Sequence, residues 1–301
     1  MTGATAVSGD EDVVVGIDIG GTKCLAVAIR GNAIVDVSRR PTPPAHALAE
    51  HLSAMVADIE SRLNCQVSVL GVGAPGLVTP EGVVRASPNL REARDEPLGP
   101  QLRAMGNWRV HVENDATAAA YAEWASGAAN GARHVMMITL GTGIGGGYVI
   151  DGEVFRGANG FAGEVGHMIV VAGGVQCPCG KRGCWERYAS GSALREFAGG
   201  EEGEVMAARA SRGDSDAVAV MNTFANWVAL GLANLVNAFD PDVIVLGGGV
   251  VESANLFLPS VRVRLKEHLY SSDRRPCPEV HAAVHGERAG AIGAALLGRL
   301  R

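Results

Sequence analysis

The sequence predicts an α/β protein made of two related domains, and three observations carry that prediction. Residues 13–19 (VVVGIDI) form a β-branched apolar run broken by one acid, the pattern of a buried strand, and Gly20-Gly21-Thr22-Lys23 turns it into a second apolar run at 24–29. The same order recurs half a chain later. Residues 134–138 lead into Thr139-Leu140-Gly141-Thr142-Gly143, and a constant offset of 121 pairs Asp18 with Thr139, Gly20 with Gly141 and Ile29 with Ile150. That offset also pairs the turn Arg30-Gly31-Asn32 with Asp151-Gly152-Glu153, which argues against chance similarity of two glycine-rich hairpins. A third buried strand, 242–246, feeds Gly247-Gly248-Gly249.

A dinucleotide-binding fingerprint needs a helix directly after its glycines, and here a strand follows instead. A hairpin tip with open backbone N–H groups, a hydroxyl and a lysine still suits phosphate oxygens. Between the two copies, Leu48, Leu52, Met55, Ile59 and Leu63 recur at helical spacing and predict an amphipathic helix over the sheet. Residues 69–76 (VLGVGAPG) read as a strand ending in a Gly/Pro turn. Residues 109–113 alternate as a strand, and Asn114-Asp115 precedes an alanine-rich helix at 116–125. Asn and Asp are favoured helix N-caps, so Asp115 reads equally as a cap. Further on, 199–216 reads as a polar surface connection, 222–239 as a buried helix stopped at Asp240-Pro241, and 289–295 as a small-residue helix able to approach another element closely.

The composition, 47% apolar and 19% charged over 301 residues, is that of an ordinary globular chain with ample core. A balance of 26 basic against 32 acidic residues gives a net charge of −6 and advertises no face for nucleic acid. The first dozen residues are small, polar and acidic, unlike an export signal, and no apolar run reads as a membrane span, so a cytoplasmic protein is expected.

The densest chemistry lies in residues 164–186. Glu164-Val165-Gly166-His167 is followed by Cys177-Pro178-Cys179-Gly180 and then Gly183-Cys184-Trp185-Glu186. One imidazole and three thiols make a complete N/S ligand set for a tetrahedral metal, with zinc its usual occupant. Disulfide pairing is the alternative, disfavoured because Cys177 and Cys179 are too close to pair without strain and because a reducing compartment keeps thiols free. All four coordination positions are filled, which predicts a structural metal with no open place for water. Glu164 and Glu186 flank the ligands and read either as placed carboxylates or as ordinary surface acids. Cys24, Cys65 and Cys277 have no partner pattern and read as small apolar residues.

Taken together, Asp18-Ile19-Gly20-Gly21-Thr22-Lys23, Glu113-Asn114-Asp115, residues 140–147 (LGTGIGGG), Glu164-Val165-Gly166-His167 and residues 177–184 (CPCGKRGC) resemble the ROK family, which comprises repressors, open reading frames and sugar kinases. The resemblance runs from about Val13 to the C-terminus and is strongest to the bacterial ATP-dependent glucokinases. It implies an actin-like ATPase (ribonuclease H-like) duplicated two-domain fold with a central cleft. The domains would span 13–125 and 126–288, with a C-terminal helix at 289–301 packing back on the first.

It also implies ATP, Mg²⁺ and a structural Zn²⁺, with phosphorylation of a hexose, glucose at its 6-hydroxyl first. Gly20, Gly21, Thr22, Gly141, Thr142 and Gly143 would serve the phosphates, Lys23 would add positive charge, Asp18 would lie near Mg²⁺, and Gly247, Gly248 and Gly249 would floor the nucleotide. Asp115 matches the family's catalytic base. Asn114, Asp115, Glu164, His167 and Glu186 match its sugar contacts, with Gly76 and Asn89 close by. His167, Cys177, Cys179 and Cys184 would hold the metal. The loop after Asn89-Leu90 departs from the family pattern, because Arg91-Glu92-Ala93-Arg94 stands where an aromatic is common. Kinases for N-acetylmannosamine, N-acetylglucosamine, fructose or mannose would keep the same motifs. A sugar-responsive regulator would need a DNA-binding domain before Val13, and a non-catalytic ATP-dependent switch would not need Asp115. A homodimer is the expected assembly, with no nucleic-acid or membrane partner.

Overall fold

A computed structural model describes residues 12–87, 90 and 93–300, and contacts divide it into two units. One unit runs up to Ala118 and resumes at Gly290; the other is Ala119–Ala289. The boundary falls inside a helix, seven residues before the expected domain end at 125.

The first unit is a five-stranded sheet. Strands β1 (Val13–Ile19), β2 (Lys23–Arg30) and β3 (Ala33–Pro41) form an antiparallel meander. Helix α1 (Leu48–Leu63) then returns the chain to β4 (Val67–Ala74), parallel to β1. A small antiparallel sheet follows, of β5 (Leu77–Val78), β6 (Val84–Ala86) and β7 (Arg94–Glu96). Helix α2 (Leu98–Met105) leads to β8 (Arg109–Asn114), which pairs in parallel with β4, and α3 (Asp115–Ser126) leaves the sheet. The order is β3-β2-β1-β4-β8. The apolar stripe of α1 is as spaced: Leu48, Leu52, Met55 and Ile59 are fully buried against Ile17, Leu70 and Val72. Burying each such side chain contributes about 1.5–3 kcal/mol.

The second unit repeats the plan with β9 (His134–Leu140), β10 (Ile144–Ile150) and β11 (Glu153–Val154) as the antiparallel meander. Four helices follow: α4 (Glu186–Ala189), α5 (Gly191–Phe197), α6 (Gly203–Ser211) and α7 (Ser215–Phe239). Strand β12 (Val243–Gly247) lies parallel to β9, and after α8 (Ala254–His268) comes β13 (Glu279–Ala282), parallel to β12. The order β11-β10-β9-β12-β13 matches the first sheet strand for strand. The final helix, α9 (Ala289–Arg299), belongs from Gly290 onward to the first unit. There it lies directly on the sheet, since a methyl group on Gly16 or Gly71 would come within 1.9 Å of the carbonyl of Ala291 or Ala294.

The structure corrects four details. In the first hairpin Gly16 stands opposite Val27, whereas in the second Met137 stands opposite Gly147, so the second strand follows an offset one residue shorter than the first. Arg30 is therefore the counterpart of Ile150, and the second meander turn is Asp151-Gly152, both at positive φ (51° and 82°) as a tight two-residue hairpin requires. The 199–216 stretch is not simply a connection, for it contains α6. Helix α7 begins at Ser215, capped by the Asp214 carboxylate on the N–H groups of Asp216 and Ala217 (both 3.1 Å), and ends at Asp240 in the left-handed region (φ 48°). Its 25 residues are long and apolar enough to cross a membrane by length and composition, although half of its most apolar window is buried within this fold. Fourth, the N-cap of α3 is Asn114 rather than Asp115, as described below.

Candidate functional site

In the first unit, Asp18 lies one residue before the end of β1 near the glycine tip, in register with Gly73 of β4, itself opposite Glu113 of β8. A methyl group on Gly73 would sit 3.4 Å from Asp18 Oδ1 and 3.5 Å from the Asp115 Cα, and one on Gly290 would sit 2.7–2.9 Å from the Asp18 carboxyl atoms. Glycine at these two places opens a slot for the carboxyl over the first turn of α9. Burial raises the Asp18 pKa to about 8, the negative charge of Asp115 adds to the rise, and Lys23 opposes it. A half-buried oxygen donor beside a second carboxyl is chemically suited to a hard cation such as Mg²⁺.

The first tip is held from behind. Gly20 N–H donates to the Lys23 carbonyl (2.9 Å), the Thr42 hydroxyl donates to the Gly20 carbonyl (2.7 Å), and Thr42 N–H donates to the Thr22 carbonyl (3.1 Å). Gly21, Thr22 and Lys23 are exposed. At the end of β8, Asn114 Oδ1 accepts from Thr117 N–H (2.9 Å), which is the N-cap bond of α3, while its Nδ2 donates to the Gly76 carbonyl (3.1 Å). The cap role therefore falls to Asn114, and Asp115 becomes the first residue of the helix, with Oδ1 accepting from Ala116 N–H (2.8 Å). Asn89 lies outside the described residues.

The second unit gathers the other candidates. At its tip Gly141 N–H donates to the Gly143 carbonyl (3.0 Å), one residue tighter than in the first hairpin. Two bonds from α5 brace it: Gly191 N–H to the Gly141 carbonyl (2.7 Å) and the Ser192 hydroxyl to the Thr142 carbonyl (2.8 Å). The 247–249 turn lies alongside, for a methyl group on Gly248 (φ 85°) would be 2.4 Å from the Leu140 carbonyl. Next to both is a cavity of about 460 Å³ lined by Gly191, Leu194, Met221, Gly249, Val250 and Glu252 among others.

The metal-ligand candidates converge. The donor atoms of His167, Cys177, Cys179 and Cys184 all lie within 4.8 Å of one another. Cys179 Sγ and Cys184 Sγ are 3.6 Å apart, and Cys177 Sγ is 3.9 Å from His167 Nδ1. A tetrahedron with Zn–S bonds of about 2.3 Å has edges of about 3.8 Å, so the set fits zinc. The sulfur separation is well beyond a disulfide's roughly 2.05 Å, and all six cysteines are free. Burial raises the thiols of Cys177 and Cys184, which would hold protons until a cation replaces them. The imidazole turns Nδ1 into this cluster and Nε2 toward Glu164 Oε2 (3.8 Å). Burial also raises Glu164, with His167 opposing and Glu186 adding.

Glu186 lies between this cluster and the second tip. Its Oε1 accepts from Cys177 Sγ (3.0 Å) and is 3.8 Å from His167 Nδ1. The segment is anchored by Trp185, fully buried with Nε1–H donating to the Trp227 carbonyl of α7 (2.8 Å), and by the Tyr188 hydroxyl accepting from Val175 N–H (2.8 Å). The sequence analysis does not single out Thr42 or Ser192; each acts on a residue distant along the chain, and no local motif announces it.

This constellation, two glycine hairpins on sheets of one order and a Cys₃His cluster flanked by acids, defines an actin-like sugar-kinase class of α/β protein. The ROK family model matches residues 14–300, and the chain belongs to the ROK family. A glucokinase of Streptomyces coelicolor is 36% identical, with 95% of this chain and 98% of the relative covered. Among solved structures, a ROK family glucokinase from Streptomyces griseus in complex with glucose and AMPPNP superposes with a TM-score of 0.86 at 37% identity, over 96% of this chain and all of that one. A ROK hexokinase from Thermus thermophilus superposes with a TM-score of 0.82 at 36% identity, over 96% of this chain and 98% of that one.

Proposed function

We propose that the protein is an ATP-dependent hexose kinase that transfers the γ-phosphoryl group of ATP to the 6-hydroxyl of glucose. The observation that carries the reading is the repetition of one glycine-tipped hairpin at the same place in two sheets of identical order, one tip beside Asp18 and the other beside the Cys₃His segment. Phosphoryl transfer needs positioning and charge neutralisation more than covalent help. The backbone N–H groups of Gly21 and Gly143, with the hydroxyls of Thr22 and Thr142, hold phosphate oxygens in this reading, Gly20 and Gly141 close the two turns with their own N–H groups, and Lys23 adds charge. The Gly247–Gly249 turn and its cavity take the nucleoside end. Asp18 would help to hold Mg²⁺, and that ion would supply charge neutralisation on the phosphates.

Asp115 orients the sugar hydroxyl and takes its proton as the oxygen–phosphorus bond forms and ADP departs. Asn114 presents Asp115 and fixes Gly76, and its remaining Nδ2 hydrogen stays available to the sugar. Glu164, His167 Nε2 and Glu186 accept and donate to the other sugar hydroxyls, so a sugar lacking one leaves a polar group unpaired. His167, Cys177, Cys179 and Cys184 would hold a structural zinc, which would fix the orientation of the imidazole. The protein works as a cytoplasmic homodimer, an assembly that light scattering of the purified chain checks.

The test is a coupled assay of ADP release on glucose, mannose, fructose, N-acetylglucosamine and N-acetylmannosamine, with ATP and with or without Mg²⁺. Glucose is expected to rank first and to need Mg²⁺. An N-acyl sugar ranking well above glucose would replace the substrate, and sugar-independent ADP release would overturn the kinase reading.

A further inference from the structure

The carboxylate of Glu186 touches two chemistries at once. One oxygen, Oε1, faces the metal cluster at Cys177 and His167, as described. The other, Oε2, lies so close to the second tip that a methyl group on Gly143 would be 2.7 Å from it. The side chain is only 17% exposed, so water screens it weakly. Immediately beyond it in the chain, α5 donates Gly191 N–H and the Ser192 hydroxyl to the carbonyls of Gly141 and Thr142, which holds the tip in place. A negative charge has thus been set against a loop whose proposed role is to receive negative phosphates.

We infer that Glu186 is a positioning residue that couples the sugar side of the second unit to its phosphate loop. Without sugar, the carboxylate rests against Gly143 and repels the terminal phosphate of a triphosphate. Sugar hydroxyls that donate to Glu186 draw its charge toward the metal-cluster side and relieve that repulsion. The two ligands then bind with positive cooperativity, and the coupling is reciprocal by linkage. A diphosphate, which lacks the terminal group, feels the carboxylate less. The inference rests on the proposed reading of the Gly141–Gly143 tip as a phosphate loop.

The experiment is calorimetric binding of AMPPNP and ADP, each with Mg²⁺, to the zinc-loaded full chain without sugar and with saturating glucose. For the unaltered protein, glucose is expected to raise AMPPNP affinity about tenfold, within the usual 5- to 150-fold range of such couplings, and to change ADP affinity much less. The isosteric Glu186→Gln is expected to bind AMPPNP without sugar about as tightly as the unaltered protein does with it. Glu186→Asp, which keeps the charge but withdraws it from Gly143, should fall between. Zinc content of one per chain in both variants excludes a collapsed segment as the cause. An unchanged AMPPNP-to-ADP affinity ratio in zinc-loaded Glu186→Gln would overturn the inference while leaving the kinase reading intact. Failure of the unaltered protein to bind either nucleotide would overturn that reading itself.

Discussion

The two glycine hairpins share a strand order and a parallel neighbour but not a surrounding. The first tip, with a Gly20–Lys23 turn, carries a cation and stands beside Asp18 and the first turn of α9. The second, with a Gly141–Gly143 turn, is one residue tighter and bears Thr142 as its only polar side chain. It is braced by α5, and Glu186 of the segment that holds the metal ligands lies close beside it. Duplication preserved the scaffold while the tips diverged, one toward charge and a hard cation, the other toward a metal-clamped segment. Perturbations can therefore be chosen that strike one tip and spare its counterpart.

The largest effect is expected from the metal. Chelation, or Cys179→Ala, removes a set of bonds that in small zinc modules contributes on the order of 10 kcal/mol to folding. The damage should spread from 164–186 into α5 and the second tip, and glucose affinity should fall with it. Hydrogen exchange tests this directly: amides of 164–192 and 139–145 should lose protection while those of 13–30 keep theirs. Equal exchange with and without zinc would erase the proposed asymmetry between the tips.

Next comes the base. Asp115→Ala should lower kcat by about 10²–10⁴ with glucose affinity largely retained, because the side chain acts on a proton in flight more than on the ground state. Asn114 should still cap α3 through Thr117, so the thermal midpoint should move little. A variant with near-normal turnover would remove Asp115 from the mechanism.

How far the sequence was legible follows the range of the interactions. Local patterns were enough for β1, β9, α1 and the four metal donors, because strand periodicity, helical spacing and ligand type are written in consecutive residues. The hairpin repeat was legible too, but its register was not. A glycine-rich tip contains several glycines that align equally well, so only the cross-strand pairing of Gly147 with Met137 reveals that the second tip is one residue shorter. Asn114 and Asp115 are both good caps, and only the bond from Thr117 N–H decides between them. Gly290 shapes the Asp18 slot from 272 positions away, a closeness that no sequence window contains.

The Asp18 slot makes the first tip pH-sensitive. Its folded pKa of about 8 lies above the ordinary 3.8, so the folded state holds the proton more tightly than the unfolded chain. That contribution to stability is complete below about pH 4 and is lost as pH rises toward 8. Urea unfolding at pH 5 and pH 8 should show the unaltered protein losing about 2 kcal/mol more than Asp18→Asn over that interval, a figure reduced for the partial exposure of the group. Mg²⁺ should offset part of the loss. Identical pH profiles for the two proteins would place the carboxyl in a solvated setting.

The smallest effect separates the tips by one methyl group each. At Gly20 it would lie 2.9 Å from the Lys23 carbonyl, the acceptor of the Gly20 N–H, so Gly20→Ala must spread the turn. A cost of about 1 kcal/mol, the worth of one such hydrogen bond, is expected. At Gly141 no atom lies within 4 Å of the added methyl. Gly141→Ala should therefore leave stability unchanged or raise it by about 0.4–1 kcal/mol through the unfolded chain. The same methyl projects into the space assigned to phosphate oxygens, so nucleotide affinity should fall although the protein is no less stable. Denaturant midpoints and ADP titrations on the two variants measure both quantities. If Gly141→Ala bound ADP normally, the open side of the second tip would not be where phosphates lie, and the likeness between the hairpins would be one of scaffold alone.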